Sequence, residues 1–197
     1  MAESLWNDIM YTDVLQSDDF VVDYAVCTTY SMDLPTLLSV PFMLGALSDM
    51  PEDVIQSSYM VLEAINRAAG KFTVFCNAGC IAVPGANSKI YSLLEQSVVQ
   101  VMLDQSEKGF VNFHPKVWVI KETNHDTGDS QLKLIVMSRN LTRSQDLDVV
   151  CELVGKVGKK KASRRSGAKH KPLADFLVWL AGNAGGDIAD KINGLIE

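Results

Sequence analysis

Cysteine, histidine and long apolar runs are scarce in this sequence, and each scarcity excludes a class of protein. The 197 residues include 4 cysteines and 3 histidines. So few cysteines, most of them within apolar runs, predict buried thiols rather than a disulfide framework. Cys76 and Cys80 lack the second ligand pair that a zinc site needs, so no metal site is expected. No apolar run reaches the roughly 20 residues of a membrane-spanning helix.

Signals for export and for nucleotide binding are also missing. The N-terminus carries Glu3, Asp8 and Asp13, without the basic flank and apolar core of a secretory signal. We therefore expect a cytoplasmic protein that does not associate with a membrane. Neither a Gly-x-Gly-x-x-Gly motif nor a Gly-x-x-x-x-Gly-Lys loop occurs, so no nucleotide cofactor is expected.

Charge is distributed unevenly along the chain. Residues 1–155 contain nine Lys or Arg against twenty Asp or Glu, whereas residues 156–197 contain nine against four. Most of these later basic residues lie in the segment 156–171, which we interpret as a loop. A basic segment on an acidic body can bind a polyanion such as nucleic acid, although a solvated loop without a ligand has the same composition. The candidate nucleic-acid-binding residues are Lys159, Lys160, Lys161, Arg164 and Arg165.

Apolar segments with the periods of strands and helices alternate along the chain, as in a layered α/β fold. The length suits a single domain. The continuous apolar character of the strands predicts helices on both faces of the sheet. The predicted strands are 20–27, 71–76, 98–103, 113–120, 132–137 and 149–154. The predicted helices are 34–47, 53–69, 88–96, 173–181 and 188–196.

Two of the predicted strands carry pairs of polar residues. His114 and Lys116 form a His-x-Lys pair, and Ser138 and Asn140 form a Ser-x-Asn pair. In a strand, residues i and i+2 project from the same face. If the two strands are neighbours, the four side chains converge at one end of the sheet.

These four groups suit the cleavage of a phosphodiester without a metal ion. Neutral His114 can attack phosphorus and form a covalent phosphohistidine. The Lys116 ammonium and the Asn140 amide supply fixed donors for the charge that builds on the phosphate oxygens, and the Ser138 hydroxyl can assist. The alternative is that His114 is a structural histidine at the end of a strand.

The order His-x-Lys and then Ser-x-Asn resembles the phospholipase D superfamily. The resemblance implies a phospholipase D-like mixed sheet flanked by helices on both faces. Lys121 stands where the family motif has Asp, and Met137 stands where it has Gly. Nuclease members use an acidic residue after Ser-x-Asn instead. The resemblance therefore implies that Asp148 orients His114 or its counterpart, with Glu152 as the runner-up.

Further segments extend the resemblance to bacterial phospholipase D-like proteins that are found with phage defence and restriction. The matching segments are Cys27–Leu34, Phe113–Trp118 and Ser138–Thr142. The likeness spans roughly residues 15 to 180, but only the His-x-Lys and Ser-x-Asn pairs are mechanistically specific. It implies a nuclease that binds DNA and acts in antiviral defence.

The chemistry of this superfamily uses two histidines, one that attacks and one that protonates the leaving oxygen. The chain has one His-x-Lys pair, because neither His125 nor His170 has a lysine two positions later. Either two copies pair as a homodimer and share a site, or residues 1–197 form one half of a longer protein. The helical pattern runs to Glu197 without a stop signal, which favours the second explanation.

Three functions follow from these observations. The leading hypothesis is a metal-independent phosphodiesterase, most simply a nuclease. The second is a non-catalytic module that binds nucleic acid or a partner subunit within a larger complex. The third, a phospholipid hydrolase, ranks last because the sequence shows no amphipathic basic helix that could dock on lipid.

Overall fold

The computed structural model describes residues 11–45, 58–85, 89–104, 111–143, 148–158 and 164–196. It has an α/β fold with one mixed sheet of six strands and a separate sheet of two short strands. The α/β class and the mixed sheet confirm the interpretation of the alternating segments. Within these ranges, no helix combines the length and the apolarity needed to cross a membrane.

The central sheet joins a parallel half to an antiparallel half. Its strand order is β5-β3-β1-β6-β7-β8, with β8 at one edge. β1, β3 and β5 run parallel, whereas β6, β7 and β8 each pair antiparallel to the preceding strand in that order. The strands are β1 (Phe20–Thr29), β2 (Met32–Asp33), β3 (Phe72–Asn77), β4 (Ile81–Ala82), β5 (Val98–Val101), β6 (Val117–Asn124), β7 (Ser130–Met137) and β8 (Val150–Lys156).

Five α-helices and one 3-10 helix surround the sheet in the described ranges. They are α1 (Tyr11–Leu15), α2 (Leu34–Met43), α3 (Ser58–Ala69), the 3-10 helix Lys89–Ser97, α4 (Arg164–Ala184) and α5 (Gly186–Asn193). The start of α2 is set by its sequence. The Asp33 carboxylate accepts a hydrogen bond from the Thr36 N–H at 2.7 Å, which satisfies a donor that the first turn leaves free. Pro35 lies in that first turn, where its missing N–H costs nothing.

Each face of the sheet packs against its own set of helices. One apolar layer joins the sheet to α1, α2 and α3, and includes Ala25, Cys27, Val74, Ile135, Leu15, Leu37 and Ile65. The other joins the sheet to α4 and α5, and includes Tyr24, Val26, Phe75, Val119, Leu177, Leu180 and Ile192. Alternate residues of β1 and β3 therefore face opposite layers, which confirms helices on both faces.

A bulge at Asp23 changes the phase of β1. Val22 pairs with Glu122 and Tyr24 pairs with Lys121, so Asp23 is an extra residue without its own partner. As a result Val22 packs into the same layer as Ala25 rather than the layer of Tyr24.

The structure differs from the sequence interpretation at the start of β6. We expected a strand from residue 113, but β6 begins at Val117, and His114 and Lys116 lie in the irregular segment before it. Pro115 explains the difference, because it has no N–H to donate to a neighbouring strand.

The basic segment also differs from the expected loop of residues 156–171. Helix α4 begins at Arg164 and continues through Pro172, so the part from Arg164 to Lys171 is helical. We expected this helix to begin at Leu173, but the eight residues before Pro172 include Ala, Arg and Lys, which favour helices. Residues 159–163 lie outside the described ranges, and with them Lys159, Lys160 and Lys161.

A buried lysine ties the N-terminal residues to the sheet. The Lys133 side chain is 2% exposed, and its ammonium donates to the Val14 carbonyl at 2.8 Å and to the Gln16 carbonyl at 3.1 Å. It also pairs with the Glu152 carboxylate at 3.1 Å. A buried ammonium is tolerable only when its three protons are satisfied in this way.

Candidate functional site

His114 and Lys116 contact one another directly. Lys116 Nζ lies 3.0 Å from Nδ1 and 3.2 Å from Nε2 of His114. The imidazole is exposed, whereas the lysine is half-buried. An ammonium only donates, so Lys116 can donate to one ring nitrogen of a neutral imidazole, and the tautomer decides which nitrogen accepts. A neutral imidazole is also the form that can attack phosphorus.

The segment that carries this pair is held at both ends. Phe113 is buried, and its N–H donates to Oδ1 of Asn77 at 2.9 Å. At the other end, the Lys116 carbonyl accepts a hydrogen bond from the Met137 N–H at 2.9 Å. His114 therefore projects from a backbone fixed between the ends of β3 and β7, although it does not belong to a strand.

Partial burial lowers the pKa of Lys116 below that of an ordinary lysine. The physical cause is the loss of water around the ammonium, which disfavours the charged form. In its charged form Lys116 is thus a partly dehydrated ammonium, which strengthens its attraction for an anion at this position.

The amide of Asn140 is oriented by the end of β1. Its Oδ1 accepts the backbone N–H of Tyr30 at 3.3 Å and lies 3.5 Å from Oγ1 of Thr29. Because a backbone N–H can only donate, the atom facing Tyr30 must be the oxygen. The Nδ2 donors of Asn140 are consequently on the side of the amide away from the Tyr30 N–H.

Lys116 and Asn140 line one small cavity together with Arg139, Thr28 and Thr29. Its volume is about 10 Å³, which is room for about one water molecule. The structure therefore brings together the lysine and the amide of the two sequence pairs, as expected from the neighbouring positions of β6 and β7. His114 joins the group through its contact with Lys116.

Tyr30 connects the two halves of the site, and the sequence interpretation gave it no role. Its ring lies 5.0 Å from the imidazole of His114, and its N–H holds the Asn140 amide. A hydrogen bond to the Cys80 thiol raises the pKa of the Tyr30 hydroxyl. The only signal in the sequence was that Tyr30 lies in the Cys27–Leu34 segment of the resemblance.

Ser138 and Asp148 form a separate hydrogen-bonded unit. Oδ1 of Asp148 accepts from the Ser138 hydroxyl, from the Ser138 N–H at 2.9 Å and from the Arg139 N–H at 3.1 Å. The Ser138 hydroxyl in turn accepts the Val149 N–H at 2.9 Å. These bonds tie Ser138 and Arg139, which follow β7, to Asp148 and Val149, which precede β8.

Asp148 has hydrogen-bond partners that the sequence interpretation did not name. We expected Asp148 to orient His114 or its counterpart, and within the chain its carboxylate accepts from the donors of Ser138 and Arg139. Two consecutive backbone N–H groups attract a carboxylate more strongly than an exposed imidazole at a distance. Ser138 is likewise engaged with Asp148 rather than directed at a phosphate.

Glu152, the runner-up, lies in the middle of β8, opposite Ile135. Its carboxylate pairs with Lys133, which is anchored to the N-terminal residues. Lys121, where the family motif has Asp, donates to the Gly194 carbonyl at 3.3 Å. The Glu152 carboxylate is thus engaged by Lys133, and the position of Lys121 carries no carboxylate that could orient His114.

Helix α4 packs beside the segment that carries His114. The ring of Trp179 stacks on Phe113 with a centroid separation of 5.8 Å. The far end of the following helix α5 approaches the start of β3, because Lys191 donates to the Gly70 carbonyl at 2.9 Å. The contact of α4 with the His114 segment is thus made by its C-terminal part. Its basic residues Lys169 and Lys171 are exposed, and Lys171 pairs with Asp175.

The candidate nucleic-acid-binding residues are only partly covered by the structure. Arg164 and Arg165 lie in the first turn of α4. No group of three or more His, Cys, Asp or Glu side chains in the described part of the chain is arranged to hold a metal ion. Comparison with protein-family models and with curated proteins finds no match to this chain.

Proposed function

We propose that the protein is a metal-independent phosphodiesterase that cleaves nucleic acid through a phosphohistidine intermediate. The observation that carries the proposal is the contact of Lys116 with both His114 and the cavity lined by Asn140. A nucleophile, a cation and a neutral donor thus meet at one end of the sheet. The resemblance of the His-x-Lys and Ser-x-Asn pairs to the phospholipase D superfamily supports the same chemistry.

The first step is attack of the neutral imidazole on phosphorus. A nitrogen–phosphorus bond forms, the bond from phosphorus to the leaving oxygen breaks, and that oxygen takes a proton from a general acid. Lys116 Nζ and Asn140 Nδ2 donate to the non-bridging oxygens as their charge grows. In the second step water attacks the phosphohistidine, the acid now acts as base, and the imidazole is released.

The proposed chemistry takes a second histidine as the general acid, and His125 is not placed to serve. His125 lies in the turn after β6, where its N–H donates to the Asp19 carbonyl before the start of β1, and it is therefore at the opposite end of the sheet. A second His-x-Lys pair can be supplied by another copy of the chain or by another segment of a longer protein. The preference for nucleic acid rests on the basic start of α4 and on the resemblance.

The direct test uses bis(4-nitrophenyl) phosphate and end-labelled DNA and RNA, each with and without a chelator. We expect chelator-resistant cleavage that falls about 1,000-fold or more in His114→Ala. His125→Ala is the matched control and should retain full activity. Mass spectrometry of the quenched reaction should find phosphate on His114. Cleavage that survives in His114→Ala would remove the proposal.

A second candidate, a non-catalytic module that binds nucleic acid, draws support from the size of the cavity. A volume of about 10 Å³ does not admit a phosphate group without a shift of Lys116 or Arg139. This function predicts DNA or RNA binding that weakens in Lys116→Ala, with no cleavage under any condition. Binding measured beside cleavage in the same preparations separates the two functions.

A further inference from the structure

In the described part of the chain no element covers either face of the edge strand β8, although four of its seven side chains are apolar. All seven of its residues, Val150–Lys156, are exposed. Leu153 is 61% exposed and Val154 is 55% exposed, and these two side chains point to opposite faces of the sheet. An exposed apolar edge strand is a template for pairing with another chain, and folded proteins normally protect such edges with charge, proline or a covering element.

The hydrogen bonds to β7 show which groups of β8 are free to pair. The Val157 N–H donates to the Ser130 carbonyl, and the Val149 carbonyl accepts the Ser138 N–H. Odd-numbered residues therefore direct their backbone groups towards β7. In an antiparallel ladder the direction alternates, so Val150, Glu152, Val154 and Lys156 direct their N–H and C=O groups to the open edge.

We propose that β8 binds β8 of a second copy of this chain in an antiparallel ladder centred on Val154. This register places Val154 opposite itself, with reciprocal N–H to C=O bonds. It also places Glu152 of each copy opposite Lys156 of the other. Cross-strand pairs of opposite charge stabilise a sheet, and here the symmetry of the dimer supplies two of them.

Other registers of the β8 ladder bring fewer opposite charges together across the two strands. A ladder centred on Glu152 places two carboxylates opposite each other, and one centred on Lys156 does the same with two ammonium groups. A ladder centred on Leu153 places Glu152 opposite Val154 and Lys156 opposite Val150, so Glu152 keeps its pair with Lys133 of the same chain but neither charge gains a partner across the ladder. Charge complementarity along β8 therefore selects a second copy as the occupant and fixes its register.

This contact is independent of the proposed phosphodiesterase activity. Antiparallel pairing joins two six-stranded sheets into one, and it sets the two His114 sites at opposite ends of the joined sheet. The second histidine that the chemistry requires would not come from this contact. Loss of cleavage and loss of the β8 ladder are thus separate results.

Disulfide cross-linking tests the register directly. In the proposed ladder the two Val154 Cα atoms are about 5.5 Å apart, within the range of a disulfide. Val154→Cys in a Cys151→Ser background should form a covalent dimer under mild oxidation, with peptide mapping that joins residue 154 to residue 154. Leu153→Cys in the same background is the matched control. Its two Cα atoms would lie roughly 8 Å apart, beyond disulfide reach, so it should stay largely monomeric.

A second variant uses a native cysteine. Val157 would lie opposite Cys151 of the other copy, so Val157→Cys alone should cross-link, and added Cys151→Ser should abolish the link. Folded Val154→Cys and Val157→Cys proteins that both remain monomeric would overturn the proposal. Equal cross-linking of Leu153→Cys and Val154→Cys would overturn it as well.

Charge reversal tests the cross-strand pairs without any covalent bond. Lys156→Glu should raise the dissociation constant of the dimer by about tenfold, because each Glu152 would then face another carboxylate. Lys169→Glu, the same change on the exposed surface of α4, should leave it unchanged. Sedimentation measures both constants, and an unchanged value in Lys156→Glu would contradict the register.

Discussion

The ring of Tyr30 lies 5.0 Å from the imidazole of His114, with the two planes inclined at 37°. The backbone of the same tyrosine holds Oδ1 of Asn140 at 3.3 Å. One residue at the end of β1 therefore touches both the proposed nucleophile and the proposed amide donor. Because β1 lies at the centre of the sheet, the site inherits the rigidity of the core.

Removal of the Tyr30 ring should impair catalysis more than folding. We expect Tyr30→Ala to lower kcat by up to about tenfold, since an aromatic pair contributes about 0.5–1.5 kcal/mol to holding His114 in place. Tyr30→Phe retains the ring and the backbone N–H and should behave like the unmodified protein. Initial rates with the phosphodiester reporter decide the point, and equal rates for all three proteins would contradict the positioning role.

The donor role of Asn140 can be separated from its structural role by one substitution. Asn140→Asp keeps an oxygen that accepts the Tyr30 N–H, but it removes the Nδ2 donors and adds a negative charge. We expect kcat/KM to fall about 100-fold or more, as on removal of a donor to a developing charge. Thermal unfolding should change little by comparison. A variant with undiminished kcat/KM would exclude Asn140 from phosphate binding.

The hydrogen bonds between Ser138 and Asp148 predict that substitution of Asp148 destabilises the fold. Asp148→Ala removes the acceptor of three donors, and we expect it to lower the free energy of unfolding by about 1–3 kcal/mol. Asp148→Asn retains a carbonyl oxygen for these donors and should lose less. Urea unfolding of both variants provides the measurement. A large fall in kcat of folded Asp148→Asn, with stability kept, would instead restore the catalytic role expected from the resemblance.

The lowered pKa of Lys116 predicts how the activity falls at alkaline pH. Because burial lowers its pKa, the ammonium loses its proton at a lower pH than an ordinary lysine does. Activity should therefore be present below that folded-state pKa and decline as the pH rises through it. Lys116→Arg keeps its charge to above about pH 12, so its residual activity should lack this decline. An identical alkaline limb in both proteins would assign the titration to another group.

The lowered pKa of Asp33 predicts that the fold loses stability at acidic pH. Partial burial opposes ionisation, but hydrogen bonds from the Arg143 N–H and from Thr36 prevail and lower its pKa. A depressed folded-state pKa stabilises the fold above the unfolded value of about 3.9, and this stabilisation disappears as the pH falls through the folded value. Asp33→Asn should therefore destabilise the protein at pH 7 and have a smaller effect near pH 2. Urea unfolding at the two pH values checks the difference.

The sequence predicted the elements of the sheet better than the geometry of the site. Apolar runs such as those around Phe75 and Ile135 marked buried strands because burial on both faces requires apolar residues at every position. The His-x-Lys pair was assigned to a strand by the same pattern, but Pro115 interrupts the ladder. The two side chains meet through their own contact instead of through the strand period.

Contacts between distant residues account for what the sequence could not predict. Asp148 was a candidate carboxylate by its position after Ser-x-Asn, yet it accepts hydrogen bonds from the backbone N–H groups of Ser138 and Arg139. Tyr30 enters the site only because β1 lies beside β6, and that adjacency is a property of strand order. Local patterns do not encode either relationship.

The extra residue at Asp23 has a consequence for any shortened version of this chain. Deletion of that single position would straighten β1 without turning any side chain, because Val22 and Tyr24 already pair with adjacent residues of β6. Val22 would stay on the side of helix α2 and Tyr24 on the side of helix α4. A cut of one amino acid at this position would thus preserve the interior, whereas removal of Asp23 together with one neighbour would turn every upstream side chain of the strand to the opposite face.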